Sequence, residues 1–163
     1  MYYFYLDASV YAKFYYPEPG SDLVIALIEA LPGAQARRLI VTSMTVAVLN
    51  RRYNELQLSD AQFGLVVPRL LADVSKFTLW RTRDDDLLNA IVPILSHNLN
   101  ASDGLHLYTA LRLDQLLRRA QQSRLVLVAA DQRLLHAAAA EGMTTLNPEA
   151  TTLEEVHHLV AVS

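Results

Sequence analysis

The chain alternates between two kinds of pattern, and that alternation limits its fold more than any single residue does. Short, nearly continuous apolar runs stand at residues 2–6, 38–42, 77–81 and 125–130, with a weaker one at 144–146. They are rich in aromatic and β-branched residues and too short to be helices, so each predicts a buried strand. Helical patterns fill the gaps. Ser21 stands before DLVIALIEAL, which Pro32 and Gly33 stop, and Ser43 before MTVAVLNRRYNEL. Ser59 and Gln62 have capping-box spacing, and Pro68 predicts a bend or break in the helix that follows. Asp84, Asp85 and Asp86 start LLNAIVPIL, Ser102 opens DGLHLYTALRLDQLLRRA, Asp131 opens QRLLHAAAAE before Gly142, and Thr152 with Glu155 opens a last helix. Strands that read as unbroken apolar runs belong in parallel sheets covered on both faces. The expected fold is therefore α/β, a three-layer α/β/α sandwich around a mainly parallel sheet, and 163 residues with no linker or repeat fit one domain, 1–163.

Composition narrows the function classes. With 52% apolar and 19% charged residues, the chain is too apolar for disorder, and it holds no run near the length of a membrane span. It has no cysteine, which excludes disulfides and thiolate metal sites, and Met1 is followed by no basic segment of a signal peptide. A cytoplasmic protein is the expectation. The net charge of −3 argues against holding nucleic acid by bulk positive charge, so a polyanionic substrate would need local arginines or bound cations.

In parallel α/β sheets ligands bind beyond the carboxyl ends of the strands. Asp7 directly follows the first strand and Asp131 follows the fourth, so both belong at that edge, and Asp103 stands in the first turn of a helix that could start there. Taken singly, each acid suits a structural role as an N-cap or a partner of the helix dipole. Together, three convergent carboxylates repel one another unless a cation is present, and a small set of hard oxygen ligands suits Mg²⁺ or Mn²⁺. Such ions activate water and stabilise the leaving oxygen of a phosphodiester.

These blocks resemble the PIN-domain family, and within it the VapC-like ribonuclease toxins of toxin–antitoxin pairs. The resemblance spans nearly the whole chain and rests on YLDASVYAKFYYPEPGSD (5–22), LNASDGLHLYTAL (99–111) and LVLVAADQRLLHAAAAEGMTTLNP (125–148). It implies a metal-dependent endoribonuclease in which Asp7, Asp103 and Asp131 are the catalytic, metal-holding acids and Ser9 orients a carboxylate or a metal-bound water. It also implies an RNA substrate, an antitoxin partner and a homodimer, for which the apolar faces of the helices within 43–75 are the expected surface. TSMTVAVLNRR (42–52) departs from the family's Ser-x-x-Thr-x-x-Glu-like block, because Val48 stands where Glu is expected. Neither Asn50, about 200° around the helix, nor Glu55, roughly 10 Å along it, is placed to substitute. Ala129 is a lesser departure from the Ser or Thr often found there. The alternative implied is a catalytically impaired member of the fold that acts by binding RNA or protein.

Other polar residues have plainer readings. Asp84–Asp86 reads as a solvated helix start, His157 and His158 as surface, and His106 as a packed or hydrogen-bonded histidine one turn after Asp103. Lys13 reads as a surface charge or a phosphate or carboxylate partner. The pairs Arg37–Arg38, Arg51–Arg52 and Arg118–Arg119 either solvate helix ends or contact RNA phosphates. No glycine-rich phosphate loop is present.

Overall fold

All five apolar runs form strands in the computed structural model, which describes residues 1–161. β1 (Tyr2–Leu6), β2 (Leu39–Thr42), β3 (Thr78–Trp80), β4 (Arg124–Val128) and β5 (Thr144–Leu146) make one sheet in the order β3-β2-β1-β4-β5. Every neighbouring pair is parallel. Side chains alternate across a strand, so each central strand feeds two cores. Phe4, Leu6, Leu39, Val41, Val126 and Val128 face one of them. Tyr5, Ile40, Leu125 and Leu127 face the other.

Helices complete both layers. On the first face lie α1 (Ala8–Ala12), α2 (Ser21–Glu29), α3 (Met44–Glu55), α4 (Asp60–Val74) and α9 (Leu153–Ala161), contributing Val10, Leu27, Leu49, Leu70 and Val156 among others. On the second lie α7 (Ala101–Gln121) and α8 (Gln132–Ala140), contributing Leu107, Leu113 and Leu134. The result is the expected α/β/α sandwich. α5 (Asp84–Asn89) and α6 (Ile91–His97) pack on α7, and Gly104 makes that approach close. A Cβ there would stand 2.1 Å from Ile94 Cγ1.

Several local expectations change. The N-cap of α2 is Gly20, at φ 82°, while Ser21 is its first residue and ties the preceding loop by accepting from the Glu18 N–H and donating to the Lys13 carbonyl. Asn100, not Ser102, caps α7 by accepting from the Asp103 N–H. Pro68 lies exposed inside an α4 that runs through it. The Ser59–Gln62 capping box forms. The helical pattern after Asp84 divides into α5 and α6 at Ala90.

The acidic run is a more consequential correction, because Asp84 and Asp85 are solvated but Asp86 is fully buried. Its carboxylate accepts from the Arg83 N–H at 2.8 Å and pairs with Arg112, whose guanidinium also lies over the Trp80 ring. The ion pair thus joins α5 to α7. Removing one partner of a buried pair leaves an uncompensated charge, at a cost of about 3–5 kcal/mol. Arg112→Ala is therefore expected to lower unfolding free energy by about 3 kcal/mol in urea titration, whereas Asp85→Ala should change it by less than about 0.5 kcal/mol.

Candidate metal and RNA-cleavage site

Asp7 is carried to the carboxyl edge by β1 and fixed there by its backbone, whose N–H donates to the Val128 carbonyl of β4 at 3.0 Å. It is also the N-cap of α1: Oδ1 accepts from the Ser9 N–H at 2.9 Å and Oδ2 from Ser9 Oγ at 2.7 Å. Ser9 thus holds the carboxylate, one of the two roles expected of it. Asp131 caps α8 through Oδ1, which accepts from the N–H groups of Arg133 at 2.8 Å and Leu134 at 3.1 Å. Among the described residues its Oδ2 makes no hydrogen bond. Asp103, half-buried in the first turn of α7, accepts from Asn100 Nδ2 at 2.7 Å through Oδ2. Each acid therefore has the structural bonds its position suggests.

The three nevertheless sense one another. Partial burial raises the Asp103 pKa above the ordinary carboxylate value, and the charges of Asp131 and then Asp7 push it further in the same direction. Arg133 and the Asn100 hydrogen bond act against that rise. An anionic group destabilised by two other anions is a place where a cation is welcome. Yet among the described residues no three His, Cys, Asp or Glu side chains come together as a ready-made ion cage. The donor set fits a hydrated Mg²⁺ or Mn²⁺, which keeps several waters and needs only one or two protein carboxylates, better than a closed all-protein cage.

Val48 lies one turn beyond Thr45 on α3, half-buried against the apolar core of its face. It brings no ligand. Asn50 is exposed, and Glu55 is engaged by Arg51 and Arg52, so neither replaces an acid at the edge. Other candidates also have internal duties. Lys13 is buried and pairs with Glu18 at 3.3 Å and Glu149 at 2.9 Å, a carboxylate partner and not a surface charge. Arg52 pairs with Glu18, Arg37 donates to the Phe77 carbonyl, Arg38 to the Tyr2 carbonyl, and Arg118 to Asp114. His157 and His158 are exposed.

His106 is the residue whose surroundings the sequence pattern understates. Its ring is 1% exposed, Nδ1 lies 2.8 Å from Tyr5 Oη, and Nε2 has no hydrogen-bond partner among the described residues, with Asp7 Oδ1 3.7 Å away. Burial lowers its pKa, opposed by the Asp7 charge. Spacing alone places His106 on the Asp103 face of α7; the Tyr5 contact, between residues 101 apart in the chain, needs the sheet.

No family model matches the chain, and no curated protein matches it. Among solved structures, it is similar to the crystal structure of PAE2754 from Pyrobaculum aerophilum, with a TM-score of 0.59 and 17% identity over 98% of this chain and 96% of that one. That likeness bears on the fold, which is an α/β sandwich in its own right.

The raised Asp103 pKa has a testable sign. A carboxyl whose folded pKa is raised adds stability when protonated, and that stability is lost as pH rises through the folded value. At neutral pH in EDTA the ionised Asp103 thus works against folding. Asp103→Asn is expected to melt at a higher temperature than the wild type under those conditions, measured by calorimetry. A lower melting temperature would show that the Asn100 bond outweighs the repulsion.

Proposed function

We propose that this protein is a Mg²⁺- or Mn²⁺-dependent endoribonuclease of the PIN-domain type, weakened by Val48, and the toxin of a toxin–antitoxin pair. The observation that carries the reading is the arrangement of three acids from separate parts of the chain: the paired strands β1 and β4 end level, bringing Asp7 and Asp131 to one sheet edge, and Asp103 at the start of α7 lies within reach of both charges. A bound divalent ion would supply an activated water and offset the charge that builds on the phosphate and the leaving oxygen. The chain's own residues do the placing. Ser9 holds both Asp7 oxygens towards the start of α1, Asp131 keeps Oδ2 free of internal bonds, and Asp103 stands between the charges of the other two and of Arg133.

Arg133 is an exposed cation beside the acids and a natural contact for an RNA phosphate. No helix among the described residues is long and apolar enough to cross a membrane. An antitoxin and a second copy of the chain remain part of the proposal, as does a cytoplasmic location. Val46, Leu56, Leu65 and Leu71 on α3 and α4 are exposed apolar side chains where a dimer was expected, and α5 and α6 expose Leu87, Leu88, Ile91, Val92 and Leu95 as well.

A second reading, binding to RNA or protein without cleavage, is favoured by two observations: Val48 in place of an acid, and the lack of a ready-made ion cage. RNA cleavage with Mn²⁺ separates the two. The nuclease reading expects slow cleavage by the wild type, loss on Asp7→Asn, and a gain of about 10- to 100-fold on Val48→Glu, the scale on which metal-site partners act. Binding of RNA with no cleavage until Val48 is replaced would establish the second reading.

A further inference from the structure

The buried ring of His106 has one unpartnered nitrogen, and the groups around it determine which proton it must carry. On one side, Tyr5 Oη lies 2.8 Å from Nδ1; on the other, Asp7 Oδ1 lies 3.7 Å from Nε2. Consider the neutral ring with its proton on Nδ1. Nε2 would then present a lone pair to a carboxylate inside a site where the histidine is 1% and Asp7 is 7% exposed, and burial strengthens that repulsion. The other neutral form puts N–H towards the carboxylate and leaves Nδ1 to accept from the tyrosine. Even a doubly protonated ring would place N–H towards Asp7, so that feature does not depend on the ring's charge.

Tyr5 is suited to the complementary role. Its hydroxyl is fully buried, and a phenol carries its proton at neutral pH, so it has a proton to donate to Nδ1. The hydroxyls of Thr42 and Thr109 lie beside it, and Thr42 Oγ1 has no formal hydrogen-bond partner of its own, leaving it free to donate to the tyrosine oxygen. The sequence of donors then runs in one direction, from Tyr5 through His106 to Asp7.

We propose that Tyr5 and His106 are positioning residues for Asp7: Tyr5 Oη–H donates to Nδ1, and the resulting Nε2–H is aimed at Asp7 Oδ1, the oxygen that also accepts from the Ser9 N–H. An N–H···O bond closes at about 2.9 Å, so a small side-chain adjustment completes it. The arrangement couples the β1 strand, the α7 helix and the first acid through one ring. This role for the pair rests on the reading of Asp7 as a member of the acid site.

Two measurements test it. Nitrogen-15 NMR of the His106 imidazole should show Nε2 protonated in the wild type, and Tyr5→Phe should shift the Nδ1 resonance by removing its donor; an unprotonated Nε2 overturns the proposal. Calorimetric titration with Mn²⁺ should show binding weakened about tenfold or more in His106→Leu, the effect typical of a residue that orients a ligand. His106→Gln, whose amide can place an N–H near the Nε2 position, should recover most of that loss. Mn²⁺ binding by a folded His106→Leu equal to that of the wild type also overturns it. If the wild type and Asp7→Asn give the same heat, the metal reading under Proposed function is what fails, and the NMR result still decides whether the donor chain exists.

Discussion

The parallel pairing of β1 with β4 is the interaction on which the candidate site depends. Tyr2 to Leu6 align with Arg124 to Val128 residue for residue, so the two strands end level, and the Asp7 N–H extends the ladder by one further bond to the Val128 carbonyl. A shift of one residue in that register would turn every side chain of β1 to the opposite core. The aromatic face of Tyr5 would then leave α7, and Asp7 would leave the edge it shares with Asp131. Five apolar or aromatic residues in β1 and four in β4 make such a slip costly. The same pairing aligns the layer beneath, because Tyr5, Leu125 and Leu127 together form the floor on which α7 lies. Gly104 then lets α6 seat closely against that helix one residue after Asp103.

How far the sequence reveals this depends on how local each cause is. The strands are legible because an unbroken apolar run bounded by turn residues has few other uses, and Asp131 is legible because a cap and its helix are adjacent. Asp7 at the strand end follows from the same logic. The burial of Asp86 is not legible, since the deciding partner, Arg112, stands 26 residues away and only the packing of α5 on α7 unites them. The Ser21 and Ser102 assignments miss for a subtler reason: both serines lie close to the true caps, Asn100 is as good a cap as serine, and the chain enters α2 at φ 82°, a conformation that suits Gly20. For His106, periodicity gives the helix face but not what that face meets. A tyrosine within an apolar strand was the available signal.

The chain's positive charges explain how a protein with net charge −3 fits the expectation of a polyanion substrate. Several of its arginines hold the fold instead of facing solvent freely. Glu18 is shared by Lys13 and Arg52, and Lys13 reaches on to Glu149, so the loop after α1, helix α3 and the loop after β5 are tied by one group of alternating charges. Arg38 donates to the first strand and lies over Phe4. Cations spent in this way offer little general attraction for a polyanion, and on the proposed function recognition would fall to exposed ones such as Arg133 beside Asp103.

The three edge acids have structural bonds apart from the chemistry proposed for them, and this has a consequence for how such a protein changes over time. Asp7 and Asp131 cap helices, and Asp103 bonds back to the cap of α7, contributions typically worth about 1 kcal/mol at an N-cap. A lineage under pressure only to stay folded would retain Asp7 and Asp131 whether or not it cut anything, whereas the repulsion on Asp103 gives that acid no such protection. The position of Val48 is different, because it lies within a helix, where an acid has no capping bond to make and would only add to the crowd of negative charge. On the proposed function, an acid there would be the first lost once cleavage ceased to matter, so capping acids such as Asp7 and Asp131 are weaker witnesses to activity than the residue at position 48.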